Sequence, residues 1–469
     1  MPSVMPGRSL AARLSLVLLA ASWGAAAQEA ALPERPPQSA AAEPQGDFPV
    51  SIAATLGPFG DPGGLRSALR DRGIDLTVLS TNEVLGNPNG GIRTGPIYAG
   101  KFEAILAVDL ERMMGWSGLT AFANAFQIHD TGGLRDRSFR RLITVSNIEA
   151  YPTTRLSELW LERRWDSGLA LRIGQLAADG EFFASDTGKP FLSNDWPTIT
   201  GANLPSGGPA YPLATPGLRL RYDATPGLSA LVAVFNGDPG DQRVANRRGT
   251  NFRLGDPPLV MAEVQWRRNQ EPDTAGLAAS LKLGGYRHFG RFADPRFDTE
   301  GLHLADPSSL GTARALRGTS GLYAVADHQL YRPEGGGPSS GVSVYARLSG
   351  SPSDRNLVDL WADGGIVVAG LVPGRPDDLF GASFIYARIG EAARAFDRDR
   401  LAFGMGAGPV RKAEASLEFT YQMQVVPGWT VQPDVQMVFD PGGGIENSSR
   451  PGTRIKGGVV LGMRSTVVY

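Results

Sequence analysis

From Gly73 to the C-terminus, hydrophobic and polar residues alternate in blocks separated by Gly, Pro, Asn and Asp clusters. The stretch Leu417 to Phe439 is the clearest case. Leu417, Phe419, Tyr421, Met423 and Val425 occupy one parity and Glu418, Thr420, Gln422 and Gln424 the other, and a Pro427-Gly428 pair precedes a second alternating run. Successive strand side chains face opposite sides, so this is a hairpin with one apolar and one polar face. The same criterion predicts strands near 74–84, 99–110, 117–127, 155–165, 169–177, 215–223, 228–236, 259–267, 276–287, 320–332, 340–350, 363–371, 380–390, 414–426, 429–439 and 456–469. Most are roughly 9 to 11 residues long, the length a tilted strand needs to cross a bilayer.

The connections carry a second signal. Short ones ("MGWSG", "WDSG", "ATPG", "PEGGGPS", "VPGRPDD", "PG") alternate with long ones such as Ala178–Ala214, His288–Thr319 and Glu391–Ala413. An up-and-down barrel with tight turns at one rim and long loops at the other produces that rhythm. In "GLRLRY", Leu218, Leu220 and Tyr222 oppose Arg219 and Arg221; in "LALRIG", Leu169, Leu171 and Ile173 oppose Arg172. A charge on the lipid face near mid-bilayer costs about 2–4 kcal/mol, so charge-free faces fit a membrane wall. A sheet packed on a soluble core gives the same alternation strand by strand; sixteen such strands would need two packed sheets. The segment Ser383–Ile389 gives no direction, since Phe384 and Tyr386 share a face with Arg388.

The expected fold class is therefore all-β, a transmembrane antiparallel up-and-down barrel of about 16 strands with one short N-terminal helix near Gly63–Arg72, where Leu65 and Leu69 lie four apart. Before it, Arg8 and Arg13 lead into "LSLVLLAASWGAAA", the charged, apolar, small-residue order of a secretory signal, with cleavage expected after Ala27. An uncleaved anchor is the alternative. Residues 1–27 are thus the expected signal peptide, 28–57 a flexible segment rich in Ala, Pro and Gln, and 58–469 the barrel domain.

Composition changes the picture little. The 469 residues include 60 Gly, 35 Pro and no Cys, which suits many turns and excludes disulfides and thiolate chemistry. The net charge of −1, or −3 once Arg8 and Arg13 are removed, with no basic stripe interleaved with aromatics, gives no reason to expect a nucleic-acid surface.

The C-terminal "VVLGMRSTVVY", with Val459, Leu461, Met463 and Val467 alternating toward Tyr469, resembles the terminal strand of Gram-negative outer-membrane proteins, which the barrel-insertion machinery reads. It departs from that pattern in ending on Tyr rather than Phe and in Ser465, which interrupts the apolar row. Four further stretches resemble the OprB-like carbohydrate-selective porins: "GLRSALRDRGI" with "NPNGGI", "IGQLAADGEFFASDTGKPFLSNDW", "YARLSGSPSDRNLVDLWADGGIVVAGLVPGRPDDLFGASFIYA" and "LEFTYQMQVVPGWTVQPDVQMVFDPGGG". They occur in the family's order and span most of the chain after residue 58. The resemblance implies a sixteen-stranded outer-membrane porin passing glucose and related sugars by diffusion, narrowed by inward loops. It also implies small carbohydrates, outer-membrane lipid and lipopolysaccharide, and the assembly machinery as partners, with a homo-oligomer possible and no cofactor. A general or charge-selective porin and a secreted lectin-like β protein are the alternatives.

A sugar channel replaces part of the hydration of hydroxyl groups without binding tightly. Inward candidates are Glu158, Trp160 and Glu162 on one strand, Arg172, Arg219 and Arg221 on its neighbours, Arg347 beside Tyr345 on another, and Glu418, Gln422, Gln424, Gln432, Asp434 and Gln436 across the barrel. The bland reading of each is a solvated wall residue. The segment Ala178–Ala214, with Glu181, Asp186, Asn194, Asp195 and Trp196, is the expected constriction loop; the bland reading is an outer loop that never enters the lumen. Catalytic motifs are weak. Gly337-Pro338-Ser339-Ser340-Gly341 spells a nucleophile elbow inside a predicted tight turn. "GMGAGPV" at Gly404 lacks a strand-then-helix context, and the four His have no zinc spacing. Asp359 and Asp363, flanking Trp361, are read as solvated loop acids.

Overall fold

The computed structural model describes residues 51–131, 133–271 and 274–469. The expected signal peptide and residues 28–50 of the expected flexible segment lie outside the described residues. Sixteen strands run β1 Ile74–Asn87, β2 Gly95–Asp109, β3 Leu119–Asp130, β4 Thr153–Arg164, β5 Leu169–Leu176, β6 Thr215–Thr225, β7 Leu228–Asn236 and β8 Pro258–Arg268. The second half continues with β9 Ala279–Asp298, β10 Ala313–Tyr331, β11 Gly341–Gly350, β12 Val358–Ala369, β13 Leu379–Ile389, β14 Ala413–Val426, β15 Trp429–Phe439 and β16 Gly458–Val468. Each pairs antiparallel with its neighbours in sequence, and β1 pairs with β16 from Leu79↔Val468 to Gly86↔Leu461. The closed ladder leaves no strand edge and satisfies the backbone groups that hydrocarbon would not.

The two faces follow the alternation in the sequence. Leu218, Leu220 and Tyr222 of β6 face outward and are exposed, while Arg219 and Arg221 are buried inside. On β14 the row containing Phe419 and Val425 faces out, and Glu414, Ser416, Glu418 and Thr420 face in. The Pro427-Gly428 turn closes the hairpin with Val426 paired to Trp429; Gly428 has φ +81°, which the absent Cβ allows. Ser465 sits on the outer face of β16, where its hydroxyl accepts from Trp429 Nε1 at 3.0 Å, so the break in the apolar row is hydrogen-bonded.

At the short-turn rim, α1 (Leu65–Asp71) precedes β1, and Tyr469 exchanges backbone hydrogen bonds with Val78. A further short helix, α2 (Leu110–Met114), lies in the β2–β3 turn.

Three expectations are corrected. Strand β12 begins at Val358, so Asp359, Trp361 and Asp363 are inward wall residues and not solvated loop acids; all three are buried. Trp361 on the inner parity hid the alternation there, because polar and apolar residues share the inside. Second, β9 and β10 are 20 and 19 residues long and reduce the expected His288–Thr319 loop to a ribbon joined at 299–312. Above the membrane zone the outer face has no reason to be apolar, so no alternation marks the extension. Third, Glu391–Ala413 is not all loop: it carries α3 (Glu391–Ala402). The ambiguous β13 resolves with Phe384 exposed outside and Ser383 buried inside, and Arg388 reaches Asp359 at the long-loop rim at 2.7 Å.

Candidate functional site

The interior is filled by two long-rim loops that wall side chains hold in place. The β5–β6 loop (177–214) enters the lumen and is tied to strands around the barrel. Glu418 of β14 accepts from Leu192 N (2.6 Å), Ser193 N (3.0 Å) and the Ser193 hydroxyl. Gln432 of β15 donates to Pro190 O at 2.7 Å. Opposite, Glu263 of β8 accepts from Phe183 N at 2.9 Å, Lys282 of β9 donates to Ala184 O at 2.7 Å, and Asp327 of β10 accepts from Thr187 N at 3.0 Å. The β3–β4 loop interlocks with it: Asn147 N donates to Leu192 O at 2.8 Å, and Tyr211 OH to Ile148 O at 2.8 Å. Arg141 of that loop pairs with Glu414 at 3.0 Å, both side chains fully buried. Sequence reasoning missed this second loop: 131–152 shows no strand periodicity, and its available signal was the run "RDRSFRR" at 135–141, four Arg in seven residues.

Most of the predicted pore residues are anchors. Glu162, Arg172, Arg219 and Glu181 form a four-member ion cluster, with the more exposed Arg164 3.5 Å from Glu162 at its edge. Arg172 reaches Glu162 at 2.8 Å and Glu181 at 2.5 Å; Arg219 reaches Glu162 at 2.7 Å and Glu181 at 2.9 Å. Three members belong to β4, β5 and β6 and the fourth to the loop, so the cluster rivets the loop to the wall. Trp160 completes it as packing, with the Arg172 guanidinium 3.7 Å from its ring and Phe122 stacked at 4.7 Å. Glu158 accepts from Ala177 N at 3.0 Å, at the root of the same loop. Gln436 donates to Val145 O at 2.7 Å and to Asp434 at 3.1 Å. Arg221 pairs locally with Asp223 at 2.7 Å, and Gln422 and Gln424 lie near the Pro427-Gly428 turn.

Arg347 does two things. It forks onto Asp363 (2.6 and 3.0 Å) and donates to Asn194 Oδ1 at 2.6 Å, and it also lines a central cavity of about 1100 Å³. Five residues of the predicted constriction loop line that cavity with it: Glu181, Asp186, Asn194, Asp195 and Trp196. The remaining predicted wall residues lie outside it. The cationic lining is Lys101, Lys189, Arg267, Lys282, Arg347 and Arg464. Glu103, Asp179, Glu181, Asp186, Asp195 and Asp327 oppose them. Lys101, Glu103, Lys282, Asp327 and Arg464 were not singled out from the sequence; each is a charge on the inner parity of its strand, which was the available signal, and Lys101 and Glu103, two apart on β2, pair at 2.6 Å.

The loop carboxylates differ. Burial pushes Asp195 up to about 6, despite hydrogen bonds from Trp196 and Thr144. Asp186 also loses some hydration inside the lumen, although its side chain is half exposed, but Lys282 and Lys189 outweigh that and hold it well below the usual carboxylate range. The cavity therefore offers donors and acceptors of both signs, with Trp196 and Tyr211 as apolar faces. Among the described residues no group of three or more His, Asp or Glu is placed to hold a metal ion.

Comparison with known proteins adds the following. The profile of the family described as "Carbohydrate-selective porin, OprB family" matches residues 93–469. Porin B of Pseudomonas aeruginosa is 24% identical over 428 residues, covering 85% of this chain and 90% of that protein. The high-pH structure of Pseudomonas putida OprB superposes with a TM-score of 0.75 at 22% identity, covering 87% of this chain and 97% of that one. The low-pH structure of the same protein gives 0.53 at 18% identity, covering 90% and 100%.

Proposed function

This chain belongs to the carbohydrate-selective porins of the OprB family, and on that premise we propose that it lets small neutral sugars, glucose among them, diffuse across the outer membrane of a Gram-negative bacterium. The observation that carries the reading is the charge balance of the cavity, six cationic side chains against six carboxylates, at the level where the inward loop crosses the lumen. A lumen of one sign would concentrate counter-ions and select by charge. A balanced one gives no net preference for either sign, while its dense hydrogen-bonding groups replace the hydration of a polyol.

In this reading Arg347, Asn194, Asp186, Lys282 and Asp327 contact the sugar and Trp196 meets its apolar face. Glu158, Trp160, Glu162, Arg172, Arg219, Glu418, Gln432, Asp434 and Gln436 act one step removed, by holding the loop whose position sets the bore. Arg221, Gln422 and Gln424 line the approach at the short-turn rim. The C-terminal strand ending at Tyr469 is the segment offered to the assembly machinery.

Liposome swelling tests it. Reconstituted protein is expected to admit glucose faster than gluconate or glucosamine, solutes of similar size carrying opposite charges. Equal rates for all three would make this a general porin, and a strong preference for one charged solute would make it charge-selective.

A further inference from the structure

On the outer surface of the β9–β10 ribbon, Arg287, Arg291 and Arg317 are exposed and lie on the face that carries Leu281, Leu283 and Leu322 lower down. Arg291 and Arg317 are directly opposed across the strands. Like charges in that position repel unless something neutralises them. Among the described residues no carboxylate pairs with any of the three, whereas Arg296, Arg314 and Arg388 at the same rim each have an aspartate at 2.7 Å.

The backbone is shaped around the cluster. The register of β9 and β10 shifts between Arg317 and Thr319, and Gly318 in that bulge has φ +66°. The Arg287 guanidinium lies over Gly318, so close that a Cβ there would sit 2.5 Å from Nη2. From the other side, Arg355 donates to Arg317 O at 2.9 Å and Gly318 O at 2.8 Å, while pairing with Asp354 at 2.7 Å. The guanidinium groups of Arg287 and Arg355 therefore converge on one bulge beside the opposed Arg291 and Arg317, and among the described residues the one ion pair made by the four is Arg355 with Asp354.

Depth says what they face. With a rise of roughly 3.3 Å per residue and a tilt of roughly 40°, Arg287 and Arg291 stand about 20 and 30 Å above Ala279, bracketing the upper edge of an apolar band about 25 Å tall. Exposed Leu322 and Leu283 lie just below them, and Phe289 lies between them. An apolar surface ending in arginines that have no carboxylate partner, Arg287 lying 5.9 Å from the Phe289 ring, matches a lipid whose acyl chains lie along the wall and whose phosphates meet the guanidinium forks.

We propose that Arg287, Arg291 and Arg317 form a binding site for the phosphate headgroup of an outer-leaflet lipid, one bearing phosphate monoesters such as lipid A. The site lies outside the pore and does not depend on which solute the pore passes.

The test uses the full chain in nonionic detergent, titrated with diphosphoryl lipid A and followed by native mass spectrometry. Wild type is expected to retain one lipid per chain and to bind its dephosphorylated form at least tenfold more weakly. Inorganic phosphate at the same concentration is expected not to displace it. The triple variant Arg287→Gln/Arg291→Gln/Arg317→Gln is expected to lose at least tenfold in affinity with unchanged heat-modifiable mobility, and the paired control Arg314→Gln to lose little. Should the triple variant not fold, Arg317→Gln alone is read the same way, since its position is exposed. Equal binding by wild type and variant, equal binding of the dephosphorylated lipid, or displacement by inorganic phosphate would each overturn the site. So would a variant whose only change is a smaller sedimenting species, which would make the patch a contact between copies.

Discussion

Arg219→Ala is the most informative single perturbation of the lumen. Arg219 is 3% exposed and bridges Glu162 of β4 to Glu181 of the inward loop, and Arg172 bridges the same two carboxylates. Two cations and two anions make the cluster neutral. Removing Arg219 leaves an excess buried negative charge that the more exposed Arg164, 3.5 Å from Glu162, offsets only in part. Breaking a buried ion pair from one side costs about 3–5 kcal/mol. Arg172 still holds both carboxylates, so the lower end, about 3 kcal/mol, is the expected loss of loop docking. At about 1.4 kcal/mol per tenfold, the opening equilibrium of the loop shifts by roughly a hundredfold.

The loop keeps its ties to Glu418, Gln432, Glu263 and Asp327. It therefore stays mostly docked and opens more often. Hydrogen exchange in detergent reads this directly: the amides of Phe182 and Phe183 should exchange roughly a hundredfold faster, with β14 and β15 unchanged. Single channels should flicker between the wild-type level and a higher one. Uniform acceleration in the wall strands would mean that Arg219 holds the barrel rather than the loop. Unchanged exchange with altered glucose entry in liposome swelling would mean that it touches sugar, and the rivet interpretation would fail.

Glu418→Ala removes the acceptor of Leu192 N and Ser193 N; at about 1–3 kcal/mol for each orphaned group, the loop tip should detach and mean conductance rise in planar bilayers. Arg347→Ala strands the fully buried Asp363 carboxylate, so the heat-modifiable transition should fall by several degrees. Arg347→Met/Asp363→Leu should recover most of that loss, because an apolar pair carries no uncompensated charge. Burial pushes Glu149 in the β3–β4 loop up to about 7 from 4.5, against the opposing Arg135. A raised carboxyl binds its proton more tightly when folded, so docking is strongest below about pH 4.5 and weakens as pH rises through 7. Exchange of amides 134–148 should accelerate from pH 5 to 8 beyond its intrinsic rate, and Glu149→Gln should flatten that excess.

Much of the wall was legible before any coordinates. Lipid and lumen impose opposite demands on alternate residues, and that demand is local: Leu218 and Arg219 declare their sides with no knowledge of their neighbours. Strand β7, 228–236, and strand β15, 429–439, were placed to the residue. The signal is lost where one of the two solvents is missing. Around Asp359–Asp363 the inside is filled by Trp361 rather than water, and above Arg287 the outside is no longer hydrocarbon, so the period-two contrast fades in both places.

The lumen was only half legible. Sequence alone marked Glu162, Arg172, Arg219, Glu418, Gln432 and Gln436 as inward, because a charge or amide on that parity has nowhere else to go. It gave no means of telling a residue that meets solute from one that meets protein. That distinction depends on where residues 177–214 and 131–152 lie, and on contacts such as Glu418 with Leu192 and Arg141 with Glu414, separated by more than 200 positions. Sequence determined the barrel, its sidedness and the chemical character of its interior, since each follows from the transfer cost of single side chains. The bore, the anchors and the cavity lining were decided by tertiary structure, because they arise only when distant loops replace water as the partners of wall charges that burial would not otherwise tolerate.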